Sequence, residues 1–308
     1  MSSLNKLNVV SIGHTLADIR FVVNEFVGPD QEGVILKQSR GAGGSAANVA
    51  IDVRRLGLRS GIIAKVGLDG FGRLIVDELM KEGVDVSGLK VGFDETGFTI
   101  VVINGKGETA MYGFKGAAGE LSPVEVDATI IGRAEFVHIA SLRIDTSLKA
   151  ATIAKDMDKK VSWDPGRVLS MKGIRKLEAL IRLVDIALVN ERECMNLTGK
   201  GDYRIGAEEI RDLGPELVVI KRGARGVYVL SDELNKEFPA YVVPNPIDTT
   251  GAGDAFAAGL LTGFSRKYDL ERSITYALAV ASLKVRRLGS HEIPTHEDVM
   301  EFLHEHNL

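Results

Sequence analysis

Short apolar runs alternate with amphipathic stretches along most of the chain. Asn8-Val9-Val10-Ser11-Ile12-Gly13 is apolar and closed by glycine, as a strand buried on both faces of a parallel sheet would be. Residues 136–139, 161–163, 186–189 and 217–220 repeat that pattern, and 148–158, 171–183 and 205–213 carry apolar residues at helical spacing between them. Residues 62–66 read as a further strand, Asp69 as a cap, and 49–56 and 71–81 as helices; 270–288 and 297–304 are helical at the carboxyl end. Right-handed crossovers between such strands give an α/β fold of three layers, a mainly parallel sheet with helices on both faces.

Two stretches break the alternation. In 17–26 and 33–39, β-branched and polar residues alternate around Gly28-Pro29-Asp30; in 96–103 and 108–114 they do so around Asn104-Gly105-Lys106-Gly107, a strong hairpin signal. They predict one small β-sheet lid, its segments at about 14–40 and 96–115, inserted into a single domain covering 1–308. Such hairpins, at 21–26 and 98–114, would expose apolar side chains and strand edges, so a homodimer packed lid against lid is expected.

The composition of the 308 residues, 45% hydrophobic and 26% charged, is that of a globular protein, and the net charge of −4 argues against nucleic acid or an anionic membrane as partner. No apolar run approaches the ~20 residues of a membrane span. The start of the chain lacks a signal-peptide pattern and Cys194 is the one cysteine, so a cytoplasmic location is expected. His14, His138, His291, His296, His304 and His306 are scattered without metal-ligand spacing.

Candidate chemistry centres on Asp248-Thr249-Thr250-Gly251-Ala252-Gly253-Asp254, read as the end of a strand, a glycine turn and the start of an apolar helix. Free N–H groups at a helix start favour phosphate oxygens. Asp254, in the first turn, reads either as a helix cap or as a group that accepts a proton from an attacking hydroxyl. Further polar and glycine positions fall beyond predicted strand ends, where an open α/β sheet binds ligands: Asp18, Gly43-Gly44 with Asn48, Asn190 with Glu193, and Gly223-Ala224-Arg225-Gly226 after Lys221. The chain has neither a P-loop nor a dinucleotide fingerprint after its first strand.

Gly43-Gly44-x-x-x-Asn48-Val49-Ala50 and Asp248 to Phe256 resemble the two signature motifs of the ribokinase-like carbohydrate kinases, and Lys65-Val66-Gly67-x-Asp69-x-x-Gly72, Asn190-x-x-Glu193 and Gly223 to Gly226 fit in order and spacing. The resemblance implies transfer of the γ-phosphoryl of ATP to a hydroxyl of a sugar or sugar-like substrate: ribose, a ketohexose, 2-keto-3-deoxygluconate or a nucleoside. Asp254 would be the base, and the N–H groups of Gly251, Ala252 and Gly253 the anion hole. Asp18, Gly43, Gly44 and Asn48 would bind the sugar. Asn190, Glu193, Lys221, Gly223, Ala224 and Gly226 would border the nucleotide. Glu193 would hold Mg²⁺ through water, and Asp248 a monovalent cation such as K⁺. ADP as donor, a sugar phosphate such as ribose 1-phosphate as acceptor, and a non-catalytic regulator are the alternatives. Two positions depart from the family pattern: Lys221 stands where many members have Thr, and Ser45 where ribokinases carry Lys. Arg167, after Trp163-Asp164-Pro165-Gly166, would favour a sugar acid or sugar phosphate if it faced the cleft, and otherwise reads as a surface residue.

Overall fold

The computed structural model describes residues 6–287, 289 and 292–306, so His291 and Leu288 lie outside the described residues. In chain order the first elements are β1 (Leu7–Gly13), β2 (Leu16–Val23), β3 (Ile35–Gly43), α1 (Ser45–Arg55), β4 (Ser60–Ile63), β5 (Lys65–Gly67), α2 (Gly70–Lys81), β6 (Lys90–Gly92), β7 (Thr96–Ile103) and β8 (Thr109–Gly116). The middle of the chain forms α3 (Ala128–Arg133), β9 (Ala134–Ala140), α4 (Ile144–Asp156), β10 (Lys160–Asp164), α5 (Gly166–Ser170), α6 (Ile174–Ile181), β11 (Ile186–Asn190), α7 (Glu191–Thr198) and α8 (Tyr203–Arg211). It closes with β12 (Leu217–Lys221), β13 (Val227–Leu230), β14 (Asn235–Phe238), α9 (Ala252–Ser265), α10 (Leu270–Lys284) and α11 (His296–Glu305).

The main sheet has eight strands in the order β14-β13-β12-β11-β10-β9-β1-β4. Pairing from β12 through β4 is parallel, and β13 and β14 add an antiparallel edge. Because alternate strand residues face opposite layers, Val10, Val137, Val161 and Val218 pack against α4, α6 and α8, while Val9, Phe136, Leu188 and Val219 pack against α1, α9 and α10. The expected three-layer α/β architecture is therefore the observed one.

The two hairpins join into one four-stranded sheet, β3-β2-β7-β8, in which β2 and β7 pair in parallel. β2 is thus an inner strand, and its exposure is lower than the alternation predicts: Leu16 to Ile19 are buried, and the exposed apolar residues sit on the edge strands β3 and β8.

Several boundaries differ from the sequence reading. The strand at 62–66 is broken at Ala64, whose carbonyl accepts the Lys90 N–H, and β5 then leaves the main sheet to pair with β6. Helix α1 begins at Ser45 rather than 49, because Gly44 turns the chain with φ 84° and its carbonyl accepts the Asn48 N–H at 2.9 Å. The helix at 171–183 is interrupted by Gly173 at φ 79°. No strand precedes Asp248: residues 239–251 are irregular, tied instead by the Ile247 and Asp248 N–H groups to the Val285 carbonyl. Among the described residues, no helix is long and apolar enough to cross a membrane.

Candidate active site

Strand alternation that sends Val161, Trp163 and Ile220 into one core sends Asp164 and Lys221 to the opposite face, toward α9. There the Lys221 ammonium pairs with Asp164. Burial works against that charge, but Asp164 and Glu193 outweigh it and hold Lys221 protonated above the usual lysine range. Glu193 is only 7% exposed. It completes a capping box at the start of α7, its Oε2 accepting the Asn190 N–H at 2.8 Å while Asn190 Oδ1 accepts the Glu193 N–H at 2.8 Å. Burial, then Asp164, pushes its carboxyl up, with Lys221 opposing.

At the start of α9, Gly251 takes the left-handed conformation at φ 77°, which a residue with a Cβ adopts only under strain. The three N–H groups expected to form an anion hole are not equivalent. Ala252 donates to the Thr249 carbonyl at 3.2 Å, whereas the N–H groups of Gly251 and Gly253 have no acceptor among the described residues. Asp254, in the first helical turn, accepts a 2.6 Å hydrogen bond from Asn48 Nδ2. Burial raises the Asp254 carboxyl; Asn48 and Lys221 lower it and Asp164 raises it further. Asn48 Oδ1 is buried without a partner, an acceptor left over for a bound hydroxyl.

Asn48 connects this centre to the lid. A Cβ on Gly43 would collide with the Asp18 carboxylate, and one on Gly44 would come within 2.5 Å of the His14 carbonyl, so both glycines let β3 and α1 close over β2. Asp18 is buried and pairs with Arg20 at 3.2 Å. Burial, reinforced by Lys115, lowers the His14 imidazole to about 3, and Lys115 Nζ lies 3.1 Å from its Nδ1. The ring is therefore neutral at physiological pH and can accept from the ammonium.

On the other side of α9 a cavity of about 330 Å³ runs from Gly223, Ala224 and Gly226 over Tyr241 and Phe256 to Gly253. It is an apolar slot of ligand size that ends at Gly253, whose N–H is free. A larger recess of about 520 Å³ beside Asp69, Phe71 and Phe98 contains none of these residues.

The family model for the pfkB family carbohydrate kinases matches residues 6–297. The chain belongs to that family. It is 33% identical over 300 residues to an ATP-dependent ribose-1-phosphate kinase of Halopiger xanaduensis, covering 97% of this chain and 99% of the relative. A nucleoside kinase of Methanothermobacter thermautotrophicus is 31% identical, with 92% of this chain and 91% of the relative covered. Among solved structures, an E. coli protein assigned as ribokinase II, in complex with ATP and Mg²⁺, superposes with a TM-score of 0.85 at 28% identity over 97% of this chain and 100% of the other. The chain is thus a sugar or nucleoside kinase of the PfkB family.

Within this PfkB chain, Asp254, Asn48, Gly251, Gly253, Lys221 and Glu193 gather around the start of α9, with Asp18, Gly43 and Gly44 on the lid side. The side chain of Arg167 on α5 is exposed, with no polar partner among the described residues. Asp248 is turned toward α10. Sequence reasoning gave Asp164 no role of its own, and it missed the apolar lining at Tyr241 and the buried charges Asp52 and Lys284. Asp164 ends β10 just as Asn190 ends β11, and that position was the available signal.

Proposed function

We propose that the chain transfers the γ-phosphoryl of ATP to a hydroxyl of a sugar, nucleoside or sugar phosphate, with Asp254 as the base. The observation that carries this reading is the place of Asp254: at the free N–H groups of the α9 start, between the apolar slot and the lid-side residues Asp18, Gly43 and Gly44, its carboxylate held by Asn48. A nucleotide base fits the slot and directs its phosphates to Gly251 and Gly253. The acceptor, seated by other hydroxyls that donate to Asp18 and to the free Oδ1 of Asn48, gives the proton of its reacting hydroxyl to Asp254 as that oxygen bonds the γ-phosphorus. The bond from that phosphorus to the β,γ-bridging oxygen breaks, and ADP leaves. Positioning and fixed dipoles supply most of the catalysis in this class of reaction.

The residues fit Mg²⁺ held indirectly. Among the described residues no group of three or more His, Cys, Asp or Glu could enclose a metal, whereas Mg²⁺ keeps several waters and binds nucleotide phosphates. Glu193, with one carboxylate oxygen outside the cap, would hold it through water, and the ion would offset charge on the phosphates. On the acceptor side, Lys115 meets only the neutral ring of His14 and has no carboxylate partner among the described residues. That favours an acceptor carrying an anionic group, and the Halopiger relative is named for ribose 1-phosphate.

The test is nucleotide consumption with Mg²⁺ across ribose 1-phosphate, ribose, fructose, nucleosides and 2-keto-3-deoxygluconate, with ATP and ADP in parallel. Transfer from ATP, fastest to the phosphorylated acceptor, is expected. Tight acceptor binding without transfer from either nucleotide would overturn the proposal.

A further inference from the structure

The monovalent cation implied at Asp248 does not fit this chain, because a lysine already stands there. Asp248 Oδ1 accepts the Thr250 N–H at 2.8 Å and Oδ2 the Gly289 N–H at 3.0 Å. Its main-chain carbonyl accepts Lys284 Nζ at 2.7 Å, and the same nitrogen lies 4.0 Å from Oδ2. Lys284 comes from the last turn of α10 and is 0% exposed. A cation seated at Asp248 would need the oxygens these donors already use, beside a buried ammonium of like charge. Arg20, Asp52 and Asp254 also face Lys284 closely enough to act on its charge.

We propose that the Lys284 ammonium is a built-in substitute for the monovalent cation, so that the chain needs no K⁺. The loop from Ile247 to Thr250 leads directly into the free N–H groups at Gly251 and Gly253. Two N–H bonds from Ile247 and Asp248 to the Val285 carbonyl tie it to the end of α10. Lys284 adds a third tie to the same end, holding the Asp248 carbonyl toward α10 and setting the direction in which the following peptides enter α9. A compact point charge on a flexible stem suits that task. Lys284 is thus a positioning residue that acts through the Asp248 loop.

The inference rests on the phosphoryl-transfer reading for its rate arm and is independent of it for its melting arm. Wild-type protein is assayed and melted in KCl, NaCl and choline chloride at equal ionic strength, beside Lys284→Ala and Lys284→Met. Wild type is expected to show the same rate and the same melting temperature in all three salts. Lys284→Ala should lose rate in choline and regain it in K⁺, by an activation on the order of 5–150-fold, the range of site-to-site coupling. Its melting temperature should rise with K⁺, as a ligand bound only by the folded state requires. Lys284→Met fills the space without the charge and should be slow in every salt. A wild type activated or stabilised selectively by K⁺, a Lys284→Ala protein indifferent to K⁺, or a Lys284→Met protein with wild-type rate would each overturn the proposal. If the alanine variant does not fold, the wild-type and methionine arms still decide. If no acceptor is turned over at all, the melting arm does.

Discussion

Asp254 sits where burial resists its ionisation, Asn48 and Lys221 support it, and Asp164 opposes it. The balance leaves the carboxyl above its ordinary value, closer to the pH at which a base is most useful. Since only the deprotonated form can take the hydroxyl proton, kcat should fall on the acid side, with its midpoint above the ordinary carboxylate range. A pH–rate profile midpoint at or below 3.8, the unperturbed value, would contradict this. Asp52, one turn beyond Asn48 on α1, is a different case: it is 0% exposed and neither carboxylate oxygen has a hydrogen-bond partner. Burial and then the nearby Asp254 raise its pKa well above 3.8. A carboxyl that holds its proton longer in the folded than in the unfolded state loses stability as pH rises from the unfolded value toward the folded one. Asp52→Asn should therefore be more stable than wild type at neutral pH, by about 1–2 kcal/mol, and the gain should vanish below 3.8. Denaturant titrations at both pH values check this.

Elements place these residues through a few backbone positions. Gly44 links β3 to α1, and Gly44→Ala would add a Cβ 2.5 Å from the His14 carbonyl at a φ of 84°. The expected cost is about 1–3 kcal/mol, read as a lower denaturant midpoint, together with a raised KM for the acceptor as α1 shifts Asn48. The parallel strands were legible in the sequence because burial on both faces leaves continuous apolar runs, as in Val218-Val219-Ile220. β14, Asn235–Phe238, was not: only Phe238 is buried, and an edge strand with three exposed polar residues carries no apolar signal. The site was legible where chemistry needs glycine beside a polar group, at Gly43-Gly44 and Gly251 to Asp254. Pairings across long sequence separations were not, and the Asp164–Lys221 pair joins residues 57 apart. Asp52 and Lys284 escaped for a third reason. In a pattern of apolar and polar positions, a buried charge reads as a solvent-facing one.

For the whole molecule, the small sheet carries both Asp18, which we propose seats the acceptor, and an open apolar edge. Ile35, Leu36, Met111, Tyr112 and Phe114 are exposed on β3 and β8, Tyr112 at 68%. Covering such strand edges favours self-association, and a homodimer lid against lid remains our proposal. Sedimentation at micromolar concentration should give twice the 33.2 kDa chain mass, and Tyr112→Glu should return it to a monomer. A wild-type monomer would contradict the proposal. Fold, cavity and lid converge on one carboxylate, and the account depends most on it. The measurement that tests it most directly is steady-state kinetics of Asp254→Asn, with ATP and the acceptor identified by the panel. Asparagine keeps the shape and caps a helix about as well as aspartate but cannot accept the proton. The account predicts a kcat lower by on the order of 10²–10⁴-fold, with KM for both substrates and the melting temperature little changed. A variant with near wild-type kcat would contradict it and return Asp254 to the role of a helix cap.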